Sequence, residues 1–157
     1  MKTTVLFPGT FDPFTIGHLS IVNRALNNFD HVVVAIGNNM MKRPFFSIEK
    51  RIEMCKEIFK DEPRVSVECY NCLTADFAKQ IGANAILRGI RTVADFEYER
   101  SVADANRHMT GIDTILLFTE TQYSFVSSSV VRDLLLYKKV EAVRHYLPKN
   151  IDIEKYM

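Results

Sequence analysis

The chain has 157 residues, of which 47% are hydrophobic and 25% are charged, and its formal net charge is +1. This size and composition are typical of one globular domain, so we assign residues 1–157 to a single domain. The near-zero charge argues against a general binder of nucleic acid or of membrane surfaces, which needs an excess of lysine and arginine. No apolar run has the length of a signal peptide or a membrane span, so we expect a cytoplasmic protein.

Short β-branched runs alternate along the chain with longer segments of helical periodicity. Apolar residues recur at helical spacing from Leu19 to Phe29 and from Ile48 to Phe59. Near-continuous apolar strands are typical of a parallel sheet buried on both faces, which needs helical crossovers. The pattern predicts an α/β domain with a single doubly wound five-stranded parallel sheet. The predicted strands are KTTVLF (2–7), HVVVAIG (31–37), RVSVEC (64–69), AILR (85–88) and TILLFT (114–119).

The loops that follow these strands carry cations and hydroxyl groups. In a doubly wound sheet, ligands bind beyond the carboxyl ends of the strands, so these loops are the segments in which to expect a site. We predict the loops at 8–17, 38–47, 70–74, 89–93 and 120–127. Their chemistry favours a polyphosphate ligand, and the residues concerned are Thr10, His18, Lys42, Arg43, Arg88, Gly89, Arg91 and the serines 127 to 129.

Three successive serines, in the segment SFVSSSVVR, precede an apolar helical pattern. A helix that begins at Ser127 would present free N–H groups and the positive end of its dipole to an anion. The alternative is that one serine is only the N-cap of that helix. Arg132, inside the same helix, would either point back to the same anion or be solvated.

The two arginines of the segment LRGIR are likewise open to two interpretations, one functional and one structural. Arg88 ends a predicted apolar strand, where an unpaired guanidinium would be costly, and Gly89 would let a ligand approach the backbone. A substrate anion is the favoured partner of Arg88. The alternative for Arg88 and Arg91 is an internal ion pair with an acidic residue of the segment that follows, namely Asp95, Glu97 or Glu99. Lys42 is equally compatible with an anion and with a solvated surface.

Cys69 and Cys72 form a C-x-x-C pair, and Cys55 is the third cysteine. A zinc site would need further ligands close by, and a redox pair would open a helix. We therefore favour reduced thiols packed in a core.

Two common nucleotide motifs do not occur in this sequence, which contains neither G-x-x-x-x-G-K-[ST] nor G-x-G-x-x-G. GTFDPFTIGH together with SFVSSSVVR instead resembles the paired signatures of the nucleotidylyltransferase superfamily, a [HT]-x-G-H turn and an I-S-S-[ST]-x-x-[RK] type motif. ILRGIRTVADFEYE and KRPFFS closely resemble the phosphopantetheine adenylyltransferase family, and the resemblance covers residues 3–148. Mild departures are Val126, where the family often has Ile or Leu, and Tyr123, where Trp is common.

The resemblance implies a Rossmann-like fold and a reaction in which ATP and 4'-phosphopantetheine give dephospho-CoA and pyrophosphate, with Mg²⁺ accompanying the nucleotide. The family also implies a homohexamer. Carried over by position, Thr10, His18, Lys42 and Arg91 would be catalytic, and Thr10, Lys42, Leu73, Thr74 and Arg88 would bind phosphopantetheine. ATP would be bound by Thr10, Phe11, His18, Gly89, Ile90, Arg91, Glu99, Ser124, Phe125, Val126, Ser127, Ser128, Ser129 and Val130.

Such a reaction needs no general base, because a phosphate monoester with a second pKa of about 6 is mostly dianionic at neutral pH. The barrier lies in bringing anions together, so fixed donors and cations are the groups to expect. His18 would act as a donor to the α-phosphate, and the nearby helix N-terminus would favour its neutral form. Two alternatives stay open: a sister enzyme with another acceptor, such as nicotinate mononucleotide, and a nucleotide-binding regulatory module without catalysis.

Overall fold

The computed structural model describes residues 1–39 and 41–157; position 40, within the predicted loop 38–47, lies outside them. Five parallel strands form one sheet in the order β3-β2-β1-β4-β5, which confirms the predicted sheet. β1 is central, because Val5 pairs with Val32 of β2 on one side and with Ala85 of β4 on the other. The strands are β1 (Thr4–Gly9), β2 (His31–Gly37), β3 (Val65–Tyr70), β4 (Ala85–Ile90) and β5 (Asp113–Phe118).

The helices begin where the sequence supplies capping side chains. Thr15, Ser47, Thr92 and Ser127 each accept a hydrogen bond from a backbone N–H in the first turn of the helix that follows. Gly111, with φ of +75°, ends the longest helix in the left-handed conformation that glycine adopts without strain. The helices are α1 (Ile16–Ala25), α2 (Ile48–Ile58), α3 (Thr74–Gln80), α4 (Val93–Thr110), α5 (Ser128–Leu136) and α6 (Val140–Val143).

Hydrophobic residues fill both faces of the sheet because successive side chains of a strand point to opposite sides. Val5 and Phe7 of β1 pack in one cluster with residues of α1, whereas Leu6 packs in another with Phe77 of α3. A third cluster joins α2 to the C-terminal segment through Met54, Val131, Leu135 and other residues. None of the helices in residues 1–39 and 41–157 is long and apolar enough to cross a membrane.

The predicted strand ends need two corrections that affect the site. β1 continues to Gly9, and β4 continues to Ile90 because its pairing with β5 extends to Phe118. Gly89 and Ile90, which were predicted to lie in the loop 89–93, are therefore strand residues, and Arg88 lies within the strand instead of at its end. The chain leaves β1 toward β2 on one side and returns through β4 on the other, so the carboxyl ends of β1 and β4 form the switch point at which such sheets bind ligands.

Candidate active site

A cleft with two lobes lies at the carboxyl ends of β1 and β4. The serine lobe, a cavity of about 310 Å³, is lined by the turn after β1, by Arg91 and by the serines that open α5. The α4 lobe, of about 360 Å³, is lined by Lys42, by the start of α3 and by one side of α4. The two lobes share the residues Pro8, Gly9, Thr10, Arg88 and Glu99. Two ligands bound in the two lobes would therefore meet at Thr10 and Arg88.

His18 is held at the start of α1 by a reciprocal capping arrangement. The Thr15 side chain accepts from the His18 N–H at 3.4 Å, and His18 Nδ1 accepts from the Thr15 N–H at 3.0 Å. A ring nitrogen that accepts a hydrogen bond carries no proton, so the neutral imidazole has its proton on Nε2. Nε2 is thus the atom through which His18 can donate to a ligand.

The imidazole of His18 is packed among three phenylalanine rings. Phe7, Phe11 and Phe14 have ring centroids 6.2, 5.1 and 5.1 Å from it. Burial, with smaller contributions from the positive charges of Arg88 and Arg91, lowers the pKa of His18 to about 3. The neutral state agrees with the sequence-based expectation, but burial is its main cause and the helix N-terminus is not.

The turn after β1 depends on a glycine and a strained phenylalanine. A Cβ atom at Gly9 would lie 2.8 Å from Phe11 Cζ, so no other residue fits without moving that ring. Phe11 itself has φ of +49°, an uncommon conformation for a residue with a large side chain. Phe11, which was predicted to contact ATP, is among the residues that line the serine lobe, and its largely buried ring packs edge-on against His18.

Two charged residues that the sequence analysis did not select hold this turn from behind. The buried Asp12 carboxylate accepts from the N–H groups of Phe45 and Phe46 at 2.7 and 2.9 Å. The buried Arg51 donates to the carbonyl oxygens of Thr10 and Phe46 at 2.8 and 3.1 Å. Asp12 stands inside the motif GTFDPFTIGH, whereas no motif marks Arg51, and the burial of both depends on the packing of α2 against the turn.

Arg88 has an internal partner. Its guanidinium donates to the Glu99 carboxylate, with Nη2 at 2.8 Å and Nε at 3.0 Å, and Nη1 donates to the Pro8 carbonyl. The sequence-based argument that Arg88 would need a substrate anion as its partner is therefore wrong, and the internal pair with Glu99 is present. A guanidinium has five N–H groups, so two of them stay available to an anion in the cleft.

Arg91 and Arg132 brace the loop that leads to α5. The Arg91 N–H donates to Asp95 Oδ2 at 3.0 Å, and Arg91 Nη1 donates to the Val126 carbonyl at 3.2 Å. Arg132 donates to the Asp12 carbonyl at 2.9 Å and to Ser129 Oγ at 3.0 Å. Both arginines line the serine lobe, so Arg132 points back toward the cleft.

The three serines have different partners. Ser127 is the N-cap of α5, the role that the alternative interpretation gave to one of the three serines, and its Oγ accepts from the Val130 N–H. Ser128 donates its hydroxyl proton to the Pro13 carbonyl at 2.8 Å, so the Ser128 hydroxyl is not the free donor that we expected. The N–H groups of Ser128 and Ser129 are at the first two helical positions and have no acceptor within the helix. These N–H groups are what the helix start offers to an anion.

The α4 lobe has a polar inner wall. Tyr70 and Thr74 share a hydrogen bond at 2.9 Å between their hydroxyl groups. Asn106 is buried, and Thr114 Oγ1 is buried without a hydrogen-bond partner among the described residues. Leu73, with 61% of its surface exposed, lies at the opening of this lobe. A ligand here would meet polar groups at its inner end and an apolar side chain at the entrance.

Several predicted residues do not line the cleft as expected. Four of the residues predicted to bind ATP are absent from the described walls of both lobes: Ile90, Ser124, Phe125 and Val130. The Ile90 side chain is buried in the core, and Phe125 packs on Tyr146 with ring centroids 5.3 Å apart. Gly89 borders the cleft, but its missing side chain also leaves room for Ile21, whose atoms would lie 3.3 Å from a Cβ.

The cysteines need one correction. Only Cys55 is packed in the core, where burial raises the pKa of its thiol to about 12. Cys69 and Cys72 are exposed, because they lie where β3 ends and leads into α3.

Comparisons with known proteins agree with this architecture. The Cytidylyltransferase-like family model matches residues 6–134. A phosphopantetheine adenylyltransferase of Bacteroides fragilis is 55% identical over 148 residues, which cover 94% of this chain and 97% of the relative. One of Porphyromonas gingivalis is 47% identical over 153 residues, which cover 98% of this chain and 99% of the relative.

The solved structure of Plasmodium falciparum nicotinic acid mononucleotide adenylyltransferase complexed with APC is similar to this chain, with a TM-score of 0.68 and 16% sequence identity. The match covers 99% of this chain and 96% of the solved chain. At that identity the likeness concerns the fold alone.

The sheet, the turn after β1 and the serine-rich start of α5 define a nucleotidylyltransferase. The matches over nearly the full chain narrow the class further, and the chain belongs to the phosphopantetheine adenylyltransferase family.

Proposed function

We propose that this chain transfers the adenylyl group of ATP to 4'-phosphopantetheine and releases dephospho-CoA and pyrophosphate, a step of coenzyme A biosynthesis. The observation that carries the proposal is the meeting of two lobes at Thr10 and Arg88, with His18 in the lining of the serine lobe. A reaction between two phosphate-bearing substrates needs such a junction. Relatives at about half identity carry the corresponding name.

The serine lobe suits the nucleotide. Its cations, Arg91 and Arg132, and the N–H groups of Ser128 and Ser129 would hold the triphosphate. The α4 lobe suits the acceptor, whose phosphate would lie at Thr10 with Lys42 and Arg88 as its cations. The polar groups of Tyr70, Thr74, Asn106 and Thr114 would face the amide groups of the pantetheine arm, and Leu73 would cover that arm at the entrance.

The chemical step follows from these positions. A phosphate oxygen of the acceptor attacks the α-phosphorus of ATP, a new O–P bond forms, and the bond from the α-phosphorus to the pyrophosphate oxygen breaks. His18 Nε2–H and Arg91 donate to the α-phosphate oxygens, where charge develops in the transition state. No proton has to be removed from the nucleophile, since the acceptor phosphate is mostly dianionic at neutral pH. Neutral His18 can therefore act as a donor without acting as a base.

Magnesium would enter with the nucleotide. The carboxylates in the lining of the serine lobe belong to Asp12, Asp95 and Glu99, and each already has protein partners: two backbone N–H groups for Asp12 and a guanidinium for each of the others. The described residues include no cluster of three acidic, histidine or cysteine side chains placed to hold a metal ion. We therefore propose MgATP as the substrate, with the ion coordinated by phosphate oxygens and water.

The proposal is tested by measuring pyrophosphate release from MgATP with different acceptors. Release should require 4'-phosphopantetheine, and mass spectrometry should find dephospho-CoA. Pantetheine, which lacks only the phosphate, is the matched control and should give no release. Turnover with nicotinate mononucleotide instead would identify the sister reaction, and nucleotide binding without turnover of any acceptor would identify a regulatory module. Either result would contradict the proposal.

We also propose that the chain self-associates, with the hexamer implied by the family, and acts in the cytoplasm. Exposed apolar side chains concentrate on α4 and at the end of β5, including Val93 at 75% and Phe118 at 74% exposure. Exposed apolar side chains grouped on neighbouring elements favour contact with another protein surface. The free state of all three cysteines suits a reducing compartment. Light scattering coupled to gel filtration measures the assembly, and a monomer would contradict it.

A further inference from the structure

Arg51 is a buried charge that does not reach the cleft. Its side chain, on the first turns of α2, is 3% exposed and is absent from the walls of both lobes. Its guanidinium donates through Nη1 to the Thr10 carbonyl at 2.8 Å and through Nε to the Phe46 carbonyl at 3.1 Å. Within residues 1–39 and 41–157, no carboxylate oxygen lies within 4.0 Å of it.

A buried arginine without a carboxylate partner is expected to add little to the stability of a core. Burial lowers the pKa of Arg51, and the charge of Asp12 only partly opposes that effect. Moving a charge out of water is costly, and an apolar side chain of similar size would often give a more stable fold. What the guanidinium provides and an apolar chain cannot is a rigid pair of donors that fixes two carbonyl groups relative to each other.

Asp12 makes the complementary contacts on the same segment. Its carboxylate accepts from the N–H groups of Phe45 and Phe46, while Arg51 donates to the Phe46 carbonyl. The turn after β1 and the segment before α2 are thereby joined by four hydrogen bonds from two buried charges. The first segment carries Thr10, and the second follows Lys42 directly in the chain.

The bond to Thr10 acts at a strained point of the backbone. The carbonyl of Thr10 belongs to the peptide unit that precedes Phe11, whose φ is +49°. A large residue keeps this conformation only where the surroundings hold it. Arg51 holds that peptide unit directly, so its loss would allow the unit to rotate and Thr10 to move with it.

We propose that Arg51 is a positioning residue, which fixes Thr10 and the Lys42 segment so that the acceptor phosphate and the nucleotide meet in line. The inference rests on the proposed function, since it assigns the two lobes to those two substrates. Arg51 itself touches neither substrate. It acts through Thr10, the residue that both lobes share, and through Phe46.

This role predicts a loss of rate more than a loss of binding. Most of the groups that would hold the substrates, namely Arg88, Arg91, Arg132 and the N–H groups of α5, have partners other than Arg51, so the KM values should change less than about threefold. A displacement of reacting groups by about 1 Å is enough to lower a rate by about a hundredfold. We expect Arg51→Met to lower kcat by roughly 10- to 100-fold.

The experiment compares the wild-type chain with Arg51→Met, Arg51→Lys and the control Arg107→Met. Arg107 lies on a different helix, α4, and pairs with Asp113 at the exposed surface, away from the cleft. Pyrophosphate release is measured while ATP and 4'-phosphopantetheine are varied in turn, at a temperature well below every melting transition. Thermal melts of the proteins without ligand report the structural effect separately. Arg51→Lys keeps the charge but lacks the planar pair of donors, and we expect its kcat to fall at least fivefold.

Each result has a defined meaning. A reduced kcat in both Arg51 variants, with small KM changes and with Arg107→Met active as wild type, supports the positioning role. A kcat within twofold of wild type in folded Arg51→Met overturns it, and so does a lower melting temperature as the only effect. If Arg51→Met does not fold, Arg51→Lys decides by the same criterion. Absence of turnover in all four proteins, wild type included, overturns the proposed function, and the positioning role that rests on it is overturned as well.

Discussion

His18 Nδ1 accepts the backbone N–H of Thr15 at 3.0 Å, and this single contact fixes which imidazole nitrogen faces the cleft with a proton. The two residues are the N-cap and the third helical residue of α1, so the helix start itself sets the tautomer. The donor that we propose for catalysis is thus oriented before any ligand arrives, which would reduce the reorganisation needed in the transition state.

Removal of the His18 side chain should damage the chemical step more than binding. We expect His18→Ala to lower kcat by roughly 10²- to 10⁴-fold, the scale of losing one preorganised donor, with smaller changes in KM. Steady-state pyrophosphate release measures both constants. His108→Ala, on the exposed side of α4, is the matched control and should keep full activity. A change confined to KM would show that His18 only binds substrate.

The low pKa of His18 predicts the direction of its effect on stability. The unfolded chain protonates this group below its usual pKa of 6.5, whereas the native protein resists protonation down to a pKa of about 3. Between these values the unfolded state binds more protons, so stability falls as the pH falls, by up to about 1.4 kcal/mol per pH unit. Urea unfolding of wild type and His18→Asn, measured at steps of about one pH unit from neutral pH down to the acidic range, isolates the contribution of His18 to the pH dependence of stability. Wild type should lose stability relative to His18→Asn on acidification, and parallel curves would contradict the buried neutral state.

Arg88→Lys should not be a mild substitution. The planar guanidinium holds Glu99 and Pro8 while keeping N–H groups for an anion, and a lysine cannot do both. We expect the KM for 4'-phosphopantetheine to rise by about tenfold, the effect of roughly 1.4 kcal/mol of lost binding. Kinetics with each substrate varied in turn measure this. Arg107→Lys, at an exposed ion pair, serves as the control. An unchanged acceptor KM with a weaker ATP site would reverse the assignment of the lobes.

The serines at the start of α5 should separate into a structural and a ligand-related residue. Ser128→Ala loses the bond to Pro13 and should destabilise the ligand-free protein by about 1 kcal/mol. Ser129→Ala should change ligand-free stability less, because its Oγ only accepts from the partly exposed Arg132. If Ser129 helps to hold ATP, a tenfold weaker site removes up to about 1.4 kcal/mol of the stabilisation by saturating MgATP.

Melts of both variants with and without MgATP test this pair of expectations. Equal loss of ligand-free stability in the two variants would contradict the contacts described for Ser128. A full MgATP-induced shift in Ser129→Ala would leave the backbone N–H groups, with Arg91, as the phosphate donors at this end.

Gly9→Ala should disturb the floor of the cleft. The added Cβ would lie 2.8 to 2.9 Å from the Phe11 ring, which in turn packs against His18. Overpacking of this kind costs about 1 to 3 kcal/mol, so the melting temperature and kcat should both fall. Gly37→Ala is the matched comparison for stability, since its Cβ would meet Tyr70 at an ordinary 3.6 Å. Equal stabilities of the two variants would contradict the close contact.

The sheet and the edge of it at which the candidate site lies could be predicted from the sequence alone. Apolar runs such as HVVVAIG can be buried on both faces only in a parallel sheet with helical crossovers, and the crossovers bring the loops after the strands to one edge. Thr10, His18 and the serines of α5 therefore could be placed at one cleft before any coordinates were known. The motifs they form also identified the family.

The pairing of the charges and the partners of the hydroxyl groups could not be predicted from the sequence and follow from the packed fold. Arg88 and Glu99 are eleven positions apart on different elements, and their contact depends on how α4 lies across β4. The burial of Asp12 and Arg51 depends in the same way on α2 packing against the turn. A sequence records which side chains are charged, but the cost of a charge and the choice of its partner depend on distance and solvent exposure, which the packed chain alone defines.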